Sequence, residues 1–199
     1  MLYFQKMPYQ IDVTDLNRQL AANPELWGAY GWRKDHGSGV HAGMTDIWVR
    51  YNDKRKYKQL TAEFNDEHVP VWYPAWEKLP ALRSIIIGPD GLMGREEGEM
   101  LGGVLITRIP PGYRIEKHED KGWHVGYYDK FYISLQSAPG AVFYCGDEAI
   151  NPETGDCWRF DNRREHWVVN DSDQDRVTLI VCIRTEKYAK ERYVFDTIG

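Results

Sequence analysis

The sequence predicts a mainly β domain, a β-sandwich or jelly roll with N-terminal helices packed on its outside. Three observations predict it. From Gly102 onward the chain breaks into short runs rich in Val, Ile, Thr, Tyr and Phe, punctuated by Pro-Gly, Gly-Asp and Asn-Asp turn signals. The first half instead shows helical spacing, at Leu16, Leu20 and Ala21 and again at Trp76, Leu79, Leu82, Ile85 and Ile86. Finally, 199 residues with 42% hydrophobic and 28% charged side chains suit one packed core and exclude a disordered or fibrous chain.

Each element follows in order. Met1-Leu2-Tyr3-Phe4-Gln5 reads as the remnant of a cleavable tag, so residues 1–6 are expected to lie outside a single domain spanning 7–199. Thr14 to Asn23 predicts a short amphipathic helix, capped by Thr14 and ended by Pro24. Lys34 to Gly43 carries three glycines and predicts a loop, in which His36 and His41 are expected to be solvated. Thr45 to Tyr51 alternates like a strand, and Trp48 and Arg50 on it are candidates for a substrate mouth, where an arginine would meet a substrate carboxylate. A polar loop to Val69 follows. The helical set from Trp76 to Ile86 runs until Gly88-Pro89 stops it. Strands are then expected near 103–109, 113–118, 129–136, 141–145, 157–160, 166–169 and 176–183, a core of about 102–185. No internal repeat interrupts this order.

Composition excludes several function classes. Thirty acidic against 25 basic side chains leave a net charge of -5, with no basic stripe, so nucleic acid is not an expected partner. The longest apolar runs fall far short of the roughly 20 residues of a membrane span. Three cysteines, Cys145, Cys157 and Cys182, make an odd count without close pairs, which predicts inert buried thiols in a reducing cytoplasm.

The chemistry is carried by Lys117-His118-Glu119-Asp120. His118 and Asp120 are two apart at a strand end, and period-two spacing points both to one face. An imidazole and a carboxylate so placed are two thirds of the facial triad that holds non-haem Fe(II) with open positions. His166, at the start of a later strand, is the candidate third ligand, because hairpin-connected strands would bring it opposite His118. Arg176 follows on the next strand, and its guanidinium fork suits a carboxylate.

These residues carry a resemblance. Thr107-Arg108-Ile109-Pro110-Pro111-Gly112, Ile115 and His118-Glu119-Asp120 resemble the PGxxIxxHxD segment of the aspartyl/asparaginyl β-hydroxylase-like dioxygenases. Gly155 to Asn162, His166, Val169-Asn170-Asp171-Ser172 and Asp175-Arg176 resemble that family's GxxxxFDNxxxHxVxNxS…R block. The resemblance implies a double-stranded β-helix, cupin-like, that uses Fe(II), 2-oxoglutarate and O₂ to hydroxylate an amino-acid side chain, Asp-, Asn- or Pro-like, with release of succinate and CO₂. It implies His118, Asp120 and His166 as catalytic metal ligands, Arg176 on the distal carboxylate of 2-oxoglutarate, and Thr107 as a hydroxyl contact. Lys130 and Tyr132 stand where the family has its RxH pair, so Lys130 keeps the charge at the co-substrate and loses the fork. Asp120, being larger than the small residue that leaves room for halide, implies hydroxylation.

Two other readings stay open from the residues alone: a non-enzymatic cupin-like small-molecule binding protein, and a cupin-type metal dioxygenase without a co-substrate. His124, beside Trp123, is a further candidate for substrate contact, against the plainer role of a satisfied structural histidine. The expected partner is a small-molecule or peptide substrate; the oligomeric state is not legible.

Overall fold

The computed structural model describes residues 3–31, 39–53 and 69–189. Eleven strands among them form two antiparallel sheets. Strands β1 (Phe4–Gln10), β2 (Thr45–Asn52), β3 (Pro70–Trp72), β4 (Met100–Ile109), β6 (Asp129–Gln136), β9 (Asp156–Phe160) and β11 (Arg176–Arg184) make the larger sheet, in the order β1-β9-β6-β11-β4-β2-β3. The smaller sheet is β5 (Arg114–His118), β10 (His166–Asn170), β7 (Ala141–Cys145) and β8 (Glu148–Ile150). They face one another as a jelly roll, and Phe4, Ile109 and Phe160 of the larger sheet meet Phe143, Cys145 and Val168 of the smaller one in the space between.

β11 shows how the sequence builds these layers. Val177, Leu179, Val181 and Ile183 point to the outer side, into a core shared with Leu16, Leu20, Leu82 and Ile86. Those four belong to helices α1 (Thr14–Ala22) and α3 (Ala81–Ile86). Arg176, Thr178, Ile180 and Cys182 alternate to the inner side. A strand covered on both faces reads as a nearly continuous apolar run, which is what Val177 to Ile183 is. The helices therefore sit outside the sheet, as expected.

Three expectations are corrected. The segment read as a tag remnant is part of the larger sheet: Phe4, Gln5 and Lys6 pair with Phe160, Arg159 and Trp158, and Phe4 is buried. The helix expected over 76–86 is two, α2 (Ala75–Lys78) and α3, because Pro80 lies between them and has no N–H to continue the ladder; Leu79 and Leu82 still share one buried face. Thr14 does not cap α1; its N–H donates to the Asp12 carboxylate at 2.9 Å. Helices α4 (Leu92–Arg95) and α5 (Trp123–Tyr127), with β3 and β8, are short elements that periodicity did not reveal. No helix of the described residues is long and apolar enough to cross a membrane.

Candidate active site

β5 and β10 are antiparallel neighbours in which His118 is the direct partner of His166. Their ring centroids lie 4.3 Å apart. The chain leaves β5 at His118, and the next two residues carry Asp120 back to the same place, with its Oδ1 4.0 Å from His118 Nε2. One nitrogen of each histidine and one carboxylate oxygen lie within 4.8 Å of one another.

Both rings are anchored in the same way. His118 Nδ1 lies 2.7 Å from the Glu116 carbonyl, and His166 Nδ1 lies 2.8 Å from the Arg164 carbonyl. A carbonyl only accepts, so each Nδ1 carries the proton and each Nε2 presents its lone pair to the cluster. No described residue donates to either Nε2. Burial lowers the His166 pKa to about 4, against an opposing pull from Asp120, so this ring stays neutral and fit to ligate across the physiological range.

Asp120 has partners of its own. Lys130 Nζ and Asn162 Nδ2 both donate to Oδ2, the latter at 3.0 Å. Burial works to raise the Asp120 pKa, but the Lys130 charge, His166 and the two hydrogen bonds outweigh it and hold the carboxyl well below its usual range. In return Lys130 is pushed above the ordinary lysine value, despite its burial. Two imidazole nitrogens and one ionised oxygen are the donor set a divalent transition metal takes.

A cavity of about 350 Å³ opens beside this cluster. His118, Asp120 and Lys130 form one part of its wall; Leu105 and Ile180, paired across β4 and β11, form an apolar part. His124 also lines it. It is set there by Gly122, whose φ of +105° and whose approach to the His124 ring leave no room for a Cβ.

Deeper between the sheets, Arg176 is 4% exposed and lies over the Phe143 ring at 5.6 Å. Burial lowers its pKa to about 10, and Tyr132 partly offsets this. No carboxylate of the described residues pairs with it. Thr178, on the same face of β11, is the register partner of Thr107, and both hydroxyl residues are buried. Tyr132 packs against Phe143 and Phe160, at 5.2 and 4.8 Å between ring centroids.

The structure thus brings His118, Asp120 and His166 together, with Lys130 bonded to Asp120. It does not bring Trp48 and Arg50 to the mouth. Trp48 is wholly buried among Tyr30, Tyr51 and Tyr73, because β2 is covered on both faces. Arg50 donates to the carbonyls of Pro70 and Leu101 and lies over Trp72, outside the cavity wall. The expected solvation of His41 is also corrected: its ring is 5.2 Å from that of His118 and lines the cavity. The close approach of Gly43 to Tyr113 and Arg114 seats that turn against β5. His36 lies outside the described residues. Cys145 and Cys157 are buried thiols, each pushed up to about 12 by burial. Cys182 is instead half-buried and lines the cavity. Asn162, which the sequence marks only as the end of the Phe-Asp-Asn motif, holds Asp120 by its hydrogen bond to Oδ2.

The sequence profile of aspartyl/asparaginyl β-hydroxylases matches residues 71–185, more than half of the chain. The chain belongs to the aspartyl/asparaginyl β-hydroxylase family. As a member of that family it is an oxygenase of the hydroxylase type. Among solved structures, an oxidoreductase of the 2OG-Fe(II) oxygenase family from Burkholderia pseudomallei is similar over 92% of this chain and 84% of its own. The two are 16% identical with a TM-score of 0.60, a likeness of fold. A cupin domain from Bordetella pertussis is 19% identical over 44% of this chain and 85% of its own, with a TM-score of 0.35. Among curated proteins none matches.

Proposed function

We propose that this β-hydroxylase family member is an Fe(II)- and 2-oxoglutarate-dependent dioxygenase that hydroxylates an amino-acid side chain, free or in a peptide. The observation that carries the reading is the pairing of two uncommitted features: three metal-capable atoms within 4.8 Å of one another, and a buried guanidinium without a carboxylate partner. Either alone has a structural explanation. Together they call for a metal and a dicarboxylate.

The donors fit Fe(II): His118 Nε2, His166 Nε2 and Asp120 Oδ1 would hold it, a set of three that leaves the metal able to take further ligands. Iron with 2-oxoglutarate and O₂ supplies the oxidising chemistry, one oxygen atom entering a C–H bond and the other leaving in succinate, with loss of CO₂. The chain's own residues do the rest. The Glu116 and Arg164 carbonyls fix the tautomer and aim of the two imidazoles. Arg176 holds a distal carboxylate in a desolvated setting where a bidentate pair is strong, and Thr107 offers a hydroxyl beside it. Leu105 and Ile180 give an aliphatic C–H an apolar bed, and His124 meets a polar group of the substrate. A cupin-like binder has no use for all of these together.

The test is anaerobic addition of Fe(II) and 2-oxoglutarate to the purified chain. The expected result is a visible metal-to-ligand charge-transfer band, followed under air by succinate release that rises with the right member of a panel of amino acids and short peptides. Absence of the band with Fe(II) bound would discard the co-substrate.

A further inference from the structure

Lys130 is placed where it acts on a metal and on an anion in opposite senses. Its ammonium is bonded to Asp120 Oδ2, and Asn162 takes up that same oxygen at 3.0 Å, while Oδ1 is the oxygen near His118 Nε2. A carboxylate held this way offers one oxygen outward, and its charge is already matched. Lys130 stands on β6 opposite Cys182, and both line the cavity. Its side chain is mostly buried, so solvent does not screen its charge.

The consequence is electrostatic. A divalent cation taken up by Oδ1 has a buried ammonium on the far side of the same carboxylate and is repelled by it. A dianion arriving beside that cation is attracted by both. We infer that Lys130, acting through Asp120, holds the metal affinity of the cluster below what two imidazoles and a free carboxylate would give, while adding to its attraction for a dianion. The inference rests on the Fe(II) and 2-oxoglutarate reading of the site. It gives Lys130 a positioning and charge-setting role through Asp120, in place of the direct grip on a 2-oxoglutarate carboxylate that the family's RxH pattern implies.

The experiment uses Mn(II) as a probe that does not turn over, titrated calorimetrically into the whole chain with and without saturating 2-oxoglutarate. For the wild type, 2-oxoglutarate should tighten Mn(II) binding by roughly tenfold or more. Lys130→Met should bind Mn(II) about tenfold more tightly than wild type, with and without 2-oxoglutarate, because the fixed charge repels the metal in both states. Lys130→Arg keeps the charge and should restore the wild-type pattern, which a purely structural role for the methylenes would not require. A thermal melt checks each variant, and Lys130→Gln replaces Met should the latter not fold. Mn(II) binding by the neutral variants that is weaker than or equal to wild type overturns this role for Lys130 and leaves the dioxygenase reading standing. A wild type that binds no Mn(II), or binds it without any response to 2-oxoglutarate, takes down that reading and the inference with it.

Discussion

Glu96 and Asp120 are both carboxylates ringed by donors, and they differ in what is left over. Glu96 is fully buried and every acceptor it owns is used. Its Oε1 accepts from the Tyr9 hydroxyl, its Oε2 from Tyr188 at 2.7 Å and Lys187 at 3.1 Å, and its main-chain carbonyl from Thr185 at 2.9 Å. That network ties β1 and the chain beyond β11 to the turn after α4. Around Asp120, by contrast, Oδ2 is satisfied while Oδ1 and two imidazole lone pairs converge with no donor among the described residues. The lesson is that burial and hydrogen bonding do not by themselves mark a functional site. A closed network holds the fold, and an incomplete one has room for a ligand.

Variants should divide along this line. The largest effect expected is at the open cluster: His118→Ala or His166→Ala should abolish tight Fe(II) binding, read by metal content after gel filtration. Full stoichiometry in either variant would remove that residue from the site. His118→Ala should leave the melting temperature nearly unchanged, whereas His166, 3% exposed and packed on Phe143 and Phe160, should also lose some stability. At the closed cluster the pattern reverses. Glu96→Ala orphans the Tyr9 and Tyr188 hydroxyls and should cost about 3 kcal/mol in denaturant melts, with metal affinity intact. A loss under about 1 kcal/mol would mean that solvent replaces these bonds.

How much of this was legible follows the same division. The two histidines could be read because antiparallel pairing sets His118 opposite His166 and the HxD and FDN blocks fix which strands matter; Asp120 lies past the end of β5, so the motif and not strand spacing placed it. The Lys130–Asp120 bond could not be read, since it depends on where the turn after β5 carries Asp120 relative to β6. His41 was missed because its place is set by the fit of Gly43 under Tyr113, a contact across seventy residues' worth of turn and strand choices that pattern does not encode. Trp48 was misplaced because alternation tells which residues share a face but not whether the other face is covered as well. β1 was lost because its sequence lacks the alternation of a strand, its buried Phe4 and Met7 standing three apart around an irregular pairing, and Phe4 found a core to fill.

The comparison sharpens at Arg176, a buried cation without the partners that Glu96 enjoys. A desolvated charge left unpaired costs free energy, so Arg176→Met should leave the metal-free protein at least as stable as wild type. Function should suffer instead. Truncating one partner of a buried bidentate pair costs on the order of 2–5 kcal/mol, so Arg176→Ala should raise the 2-oxoglutarate requirement roughly 30-fold or more. Arg176→Lys, which keeps charge and loses the fork, should fall between. Unchanged succinate production by Arg176→Ala at limiting 2-oxoglutarate would remove this residue from the co-substrate site.

The last expected effect is a pH dependence centred on the open cluster. Burial depresses the His166 pKa to about 4, below the ordinary 6.5 it regains on unfolding. Above 6.5 both states hold a neutral ring and the group contributes nothing to the pH slope. Between 6.5 and 4 the unfolded chain binds the proton and the folded one does not, so acidification draws the protein toward the unfolded state. The difference in pKa corresponds to about 3 kcal/mol of stability lost across that window. Chelator-treated wild type should show this loss in denaturant midpoints taken from pH 7 to pH 4, and His166→Asn should flatten it, whatever its stability at neutral pH. A slope between pH 6.5 and 5 that survives undiminished in His166→Asn would leave His166 titrating in step with the unfolded chain, since Asp120 and Asp156, also held low, act nearer pH 4.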